Sequence, residues 1–72
     1  MKILTQKRDE IIEFPKKIWA TTSGTKGVVV TSRATLEPEI GKYKDIKRAK
    51  EVLAEILQKY TARESVYIMP EE

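Results

Sequence analysis

Residues 45–60, DIKRAKEVLAEILQKY, limit most strongly what this chain can become. At about 100° per residue, Ile46, Ala49, Val52, Leu53, Ile56, Leu57 and Tyr60 fall within one arc of about 140°, a stripe wide enough to face a core. Lys47, Arg48, Glu51, Glu55, Gln58 and Lys59 lie on the opposite side. A helix of this length spans roughly 24 Å and is marginal in water on propensity alone, so the rest of the chain must cover its stripe. The stripe is wider than a strict two-position heptad seam, which favours packing on a sheet of the same chain over a helical dimer seam.

The other segments read as short strands. Residues 2–6 form the first, with Ile3 and Leu4 on opposite faces, and the charged residues 7–10 form a turn. Residues 11–14 are the second, closed by Pro15, which cannot donate to a ladder. Residues 18–22, β-branched and aromatic, make a third, and residues 23–27, SGTKG, supply two glycines for a hairpin loop. The fourth strand covers residues 28–33. Its three successive valines, Val28 to Val30, fit either a central strand or an exposed patch that pairs with a second copy. Pro38 interrupts residues 34–39, residues 39–43 form a fifth strand, and Gly41 marks a bulge or a close backbone approach.

Asp45 is the N-cap by residue type, although Lys47 and Arg48 meet the positive end of the helix dipole at a cost of about a few tenths of a kcal/mol. Glu55 and Lys59 are ordered for an i,i+4 pair. After a polar loop, residues 65–69 form a last strand stopped by Pro70. The expected fold is α+β, a small antiparallel β-sheet of five to six short strands with one amphipathic helix packed on it, and residues 1–72 make a single domain.

A chain of 72 residues buries only about 60% of its unfolded surface, and small domains without covalent staples often gain burial by self-association, so a homo-oligomer is expected. There is no cysteine and no histidine. Disulfides, thiolate nucleophiles and the common nitrogen metal ligand are therefore excluded, and neither a metal nor a cofactor is expected. No apolar run approaches a membrane span or a secretory signal, and cysteine is absent, so the expected location is cytoplasmic, with no membrane partner.

The net charge of +3 is unevenly placed: residues 1–35 carry seven basic groups against Asp9, Glu10 and Glu13, while residues 36–72 are nearly balanced. This leaves one candidate binding surface. Lys16, Lys17, Lys26 and Arg33 stand at the two ends of the third and fourth strands, and with Trp19 they would make a charged, aromatic-bearing ribbon for nucleic acid. The alternative is a solvated surface with Trp19, Phe14, Tyr43 and Tyr67 packed in the fold.

Other patterns point to no chemistry. SGTKG lacks the spacing and the strand-to-helix setting of a phosphate-binding loop. Glu10, Glu13, Glu37 and Glu39 show no pairing that would separate two pKa values, and the serines have no histidine to activate them, so no catalytic residue is expected.

The opening KILTQ, the IIEFP segment, the IGKY passage running into RAKEVLAEI, and the closing YIMPEE together resemble a family of small uncharacterised proteins of low-GC Gram-positive bacteria, often encoded by prophages or conjugative elements. The likeness runs the whole chain. It implies a strand-rich α+β domain whose helix follows a Gly-x-Tyr strand end, and no established activity. The chain departs from that pattern at Lys44, Asp45, Ile46 and Lys47, where the family tends to place serine or threonine followed by acidic residues, and the departure makes this helix entrance unusually basic. The function expected is a non-enzymatic accessory or protein-interaction module, homodimeric or with an unidentified protein partner. The alternative is a weak nucleic-acid-binding protein using the basic third and fourth strands.

Overall fold

A computed structural model describes residues 1–32 and 38–72. In chain order its elements are β1 (Lys2–Leu4), β2 (Ile11–Glu13), β3 (Ile18–Ser23), β4 (Lys26–Thr31), β5 (Glu39–Tyr43), α1 (Ile46–Thr61) and β6 (Val66–Ile68). The fold is α+β, with α1 packed against the strands as the apolar stripe requires. The strands divide between two three-stranded sheets, ordered β2-β1-β6 and β3-β4-β5. Every pairing is antiparallel except that of β1 with β6. A parallel pair needs a crossover no hairpin could supply, and the second sheet and the helix between β1 and β6 provide it.

The hairpin between β3 and β4 is tighter than a five-residue loop. Ser23 pairs with Lys26, so Gly24 and Thr25 alone turn the chain, and Gly24 takes a φ of 64° that a side chain would disfavour. Gly27 is already in β4 and its role is packing: a Cβ there would run into the carbonyl of Asp45 and come within 2.7 Å of Ile46 Cα. The start of α1 therefore rests directly on bare β4 backbone. Gly41 lies beside a register shift between β4 and β5, and a Cβ on it would stand 2.8 Å from both Met69 Cε and the Tyr43 ring.

Asp45 caps α1, its carboxylate accepting from the Arg48 N–H at 2.9 Å. At the far end Arg63 adopts φ 59°, while Glu64 N–H donates to Lys59 O and Arg63 N–H to Tyr60 O, a Schellman closure without its usual glycine. The expected Glu55–Lys59 pair does not form; Glu55 accepts instead from the Tyr67 hydroxyl at 2.8 Å, tying α1 to β6.

One core joins both sheets to the helix: Ile3 and Tyr67 from one, Val29, Ile40 and Tyr43 from the other, and Ala49, Val52 and Ile56 from α1. The rest of the stripe is less covered than its arc implies, with Leu53 half-buried, Leu57 61% exposed, and Tyr60 stacked at 4.1 Å on Phe14 at the rim. Val28, Val29 and Val30 are all buried because β4 is the central strand of its sheet, so the valine run is not an exposed patch. Strand β4 ends at Thr31, and Arg33 and Glu37 lie outside the described residues.

Gln6 joins the two sheets. Its backbone N–H donates to Ile40 O, its side-chain oxygen accepts from Lys42 N–H at 2.6 Å, and its Nε2 donates to Lys42 O at 2.8 Å and to Glu71 O at 2.9 Å. The side-chain amide thus acts as a strand residue against the outer edge of β5, which would otherwise be open.

Two substitutions test this arrangement by chemical denaturation. Gly27→Ala is expected to cost about 2–3 kcal/mol through overpacking against the helix start. Gln6→Ala is expected to cost about 1–3 kcal/mol through three lost side-chain hydrogen bonds.

Candidate functional site

Of the expected basic ribbon, the structure sets Lys16, Lys17 and Trp19 at one end of the β3-β4 hairpin and Lys26 at the other. Lys17 is held at the start of β3 by bonds between its backbone and Ser32, and its ammonium lies 5.3 Å from the Trp19 ring centroid. Lys16 is exposed beside it. Lys26 stands at the opposite end of the hairpin, across from Ser23. Arg33 lies outside the described residues. The other aromatic groups are committed inside the fold, with Tyr43 and Tyr67 buried and Phe14 stacked on Tyr60, so they form no platform for bases.

Lys26 belongs instead to a second basic surface. The turn after β1, the start of β4, the end of β5 and the first turn of α1 converge on a trough of about 680 Å³ lined by Lys7, Lys26, Lys42, Lys44 and Arg48. Among the described residues none of the four lysine ammonium groups lies within 4.0 Å of a carboxylate. The first turn of α1 carries no acidic residue to offset them. The warning of this site in the sequence is the basic helix entrance, of which Lys44 lines the trough with Lys42 two residues before it; Lys7 and Lys26 are distant in sequence and only the fold brings them in.

The end of the chain lies along one wall of this trough. Arg8, at φ 63°, donates from Nη1 to Met69 O at 2.7 Å and from Nη2 to Glu71 Oε1 at 3.5 Å. The Tyr43 hydroxyl donates to Pro70 O at 3.0 Å, and Arg48 donates from Nε and Nη2 to Glu72 O at 3.1 and 2.8 Å. With Gln6 bound to Glu71 O, four side chains grip the main chain of residues 69–72. Residues 71–72 are therefore docked, whereas their composition reads as a frayed end.

A third surface is apolar. On the β2-β1-β6 sheet Ile12, Ile3 and Tyr67 face the core, so the register turns Ile11, Leu4 and Ile68 outward in one row across three strands. Ile11 is 67% exposed and Ile68 56%. Val66 extends the row on β6, while Lys2 and Glu13 sit next to it, 3.7 Å apart.

Among the described residues three carboxylates share a second depression. Asp9, Glu10 and Glu39 line a groove of about 500 Å³ over Val28 and Val30, but all three are exposed, and such chemistry needs groups that burial treats differently. Among the described residues no group of three or more His, Cys, Asp or Glu side chains could hold a metal ion, and no helix is long and apolar enough to cross a membrane.

No family model, curated protein or solved structure matches this chain. The likeness to small proteins of low-GC Gram-positive bacteria remains an expectation resting on the short motifs that carry it.

Two tyrosines give the site and its surroundings a measurable pH signature. Burial pushes the Tyr43 phenol up to about 12 against the opposing pull of Arg48, and burial together with the hydrogen bond to Glu55 raises Tyr67 further. Both phenols stay protonated in the folded state at pH values where the unfolded chain releases the protons. Their stabilising effect is thus complete below about pH 10 and is lost above it, by up to about 1.4 kcal/mol per pH unit for each. Denaturant titrations between pH 8 and pH 11 are expected to show this fall, and Tyr43→Phe to make it shallower.

Proposed function

We propose that this chain is a non-enzymatic, cytoplasmic interaction module that associates with a second copy through the outer face of its β2-β1-β6 sheet. The observation that carries the reading is the row Ile11, Leu4, Ile68, three apolar side chains side by side and turned away from the core. Scattered apolar residues are ordinary on a small protein, but a contiguous row beside Val66 leaves hydrophobic surface that a partner would cover.

A second copy fits because the face is self-complementary. A two-fold axis running between β1 and β2 sets Leu4 opposite Ile11 of the second copy and Lys2 opposite its Glu13, with each contact repeated by symmetry. The non-enzymatic part rests on residue types: there is neither histidine nor cysteine, and the carboxylates of the groove are exposed.

Sedimentation velocity over a concentration series tests the reading. Wild type is expected to shift from monomer to dimer at high micromolar concentration, and Ile11→Lys with Ile68→Lys to remain monomeric with little change in melting temperature. A strict monomer at high micromolar concentration overturns it.

A further inference from the structure

The basic trough is a separate surface from the apolar row, and its chemistry asks for an anion. Lys7, Lys26, Lys42 and Lys44 are exposed, carry the same sign and lack carboxylate partners among the described residues. Keeping four cations around one depression costs mutual repulsion that a bound polyanion would relieve. Arg48, which lines the same depression, is already engaged by Glu72 O and by Glu51 Oε1 at 3.4 Å.

The nature of the trough selects among polyanions. An acidic protein segment held with useful affinity needs an apolar anchor in a pocket. Here the lining is charged or polar apart from Tyr43, which is buried with its hydroxyl bonded to Pro70 O. Lysines on flexible stems instead match a phosphate backbone, where affinity comes from counterion release and requires neither anchor nor base contact.

The chain also supplies a built-in rival. Glu71 and Glu72 line the trough, and Gln6, Arg8, Tyr43 and Arg48 hold their segment by its main-chain oxygens. That grip fixes the backbone and keeps the two acidic side chains exposed beside the lysines, with Glu71 paired to Arg8 at 3.5 Å, where their charge lowers the local positive potential.

We propose that the trough formed by Lys7, Lys26, Lys42 and Lys44 binds the phosphate backbone of a nucleic acid without base specificity, and that Glu71 and Glu72 compete with it from within the chain. Four phosphate contacts give a slope of roughly −3 to −4 in log K against log salt on duplex DNA.

Fluorescence anisotropy with a labelled duplex of about 20 base pairs, at about 50 to 200 mM salt, tests both parts. Lys42→Gln with Lys44→Gln is expected to weaken binding at least about tenfold at the lowest salt and to flatten the slope by about 2. Lys16→Gln with Lys17→Gln should leave binding unchanged, and Glu71→Gln with Glu72→Gln should tighten it several-fold. All the substituted side chains are exposed, and a thermal melt of each variant confirms that it folds. Absence of binding at about 50 mM salt overturns the proposal, as does a loss carried by Lys16 and Lys17 in place of Lys42 and Lys44. Binding to poly-glutamate at concentrations where the duplex does not bind overturns it in favour of an acidic protein partner. Unchanged affinity on replacing the two glutamates overturns the internal competition.

Discussion

The helix can lie where it does only because Gly27, near the start of β4, has no side chain. Asp45 and Ile46 approach the backbone of Gly27 closely enough that a methyl group would force them away. Once α1 begins at that point, its 3.6-residue repeat carries Ala49, Val52 and Ile56 into the core that both sheets share. Ile3 and Tyr67 meet them from one side and Val29 from the other. The same contact brings Lys44 and Arg48 beside Lys26, so the basic trough is a by-product of where the helix is anchored.

Two three-stranded sheets of such short strands need something to hold them edge to edge, and polar groups supply it. Gln6 offers an amide with the geometry of a peptide group, so β5 finds on its outer side both the acceptor and the donor that another strand would present. Its second Nε2–H bond reaches the end of the chain, where Arg8, Tyr43 and Arg48 complete the grip. Because each of these four side chains reaches a main-chain oxygen, the segment's path is fixed while the Glu71 and Glu72 side chains stay exposed, Glu71 beside Arg8. Shape and electrostatics are thereby controlled by different atoms of the same four residues.

Local patterns in the sequence carry much of this architecture. The apolar stripe of residues 46–60, the Asp45 cap and the alternation of Ile11 and Ile12 in β2 report on neighbours within a few residues, and the structure reproduces them in Ala49, Val52 and Ile56, in the Asp45–Arg48 bond and in the inward Ile12. What depends on distant partners is not legible. Nothing near Leu57 says that the cover ends before reaching it, and nothing near Glu55 says that a tyrosine twelve residues later will take its carboxylate from Lys59. The valine run fits two readings, and only the central position of β4 in its sheet decides between them. Lys16 and Lys17 at one end of the hairpin and Lys26 at the other are legible in the sequence, and the register keeps them there. The lysines that do converge come from three separate stretches of chain.

The parallel pairing of β1 with β6 has a consequence in time. The strand nearest the N-terminus has its permanent neighbour some sixty residues later, since Ile3 lies beside Tyr67. As the chain emerges from a ribosome, the β3-β4-β5 meander and then the helix have all their local partners, but the first hairpin must wait with Ile3 and Ile12 uncovered. β6, made only after the helix, is therefore the strand that closes β1, and any lengthening of that wait prolongs the exposure of an unfinished sheet edge.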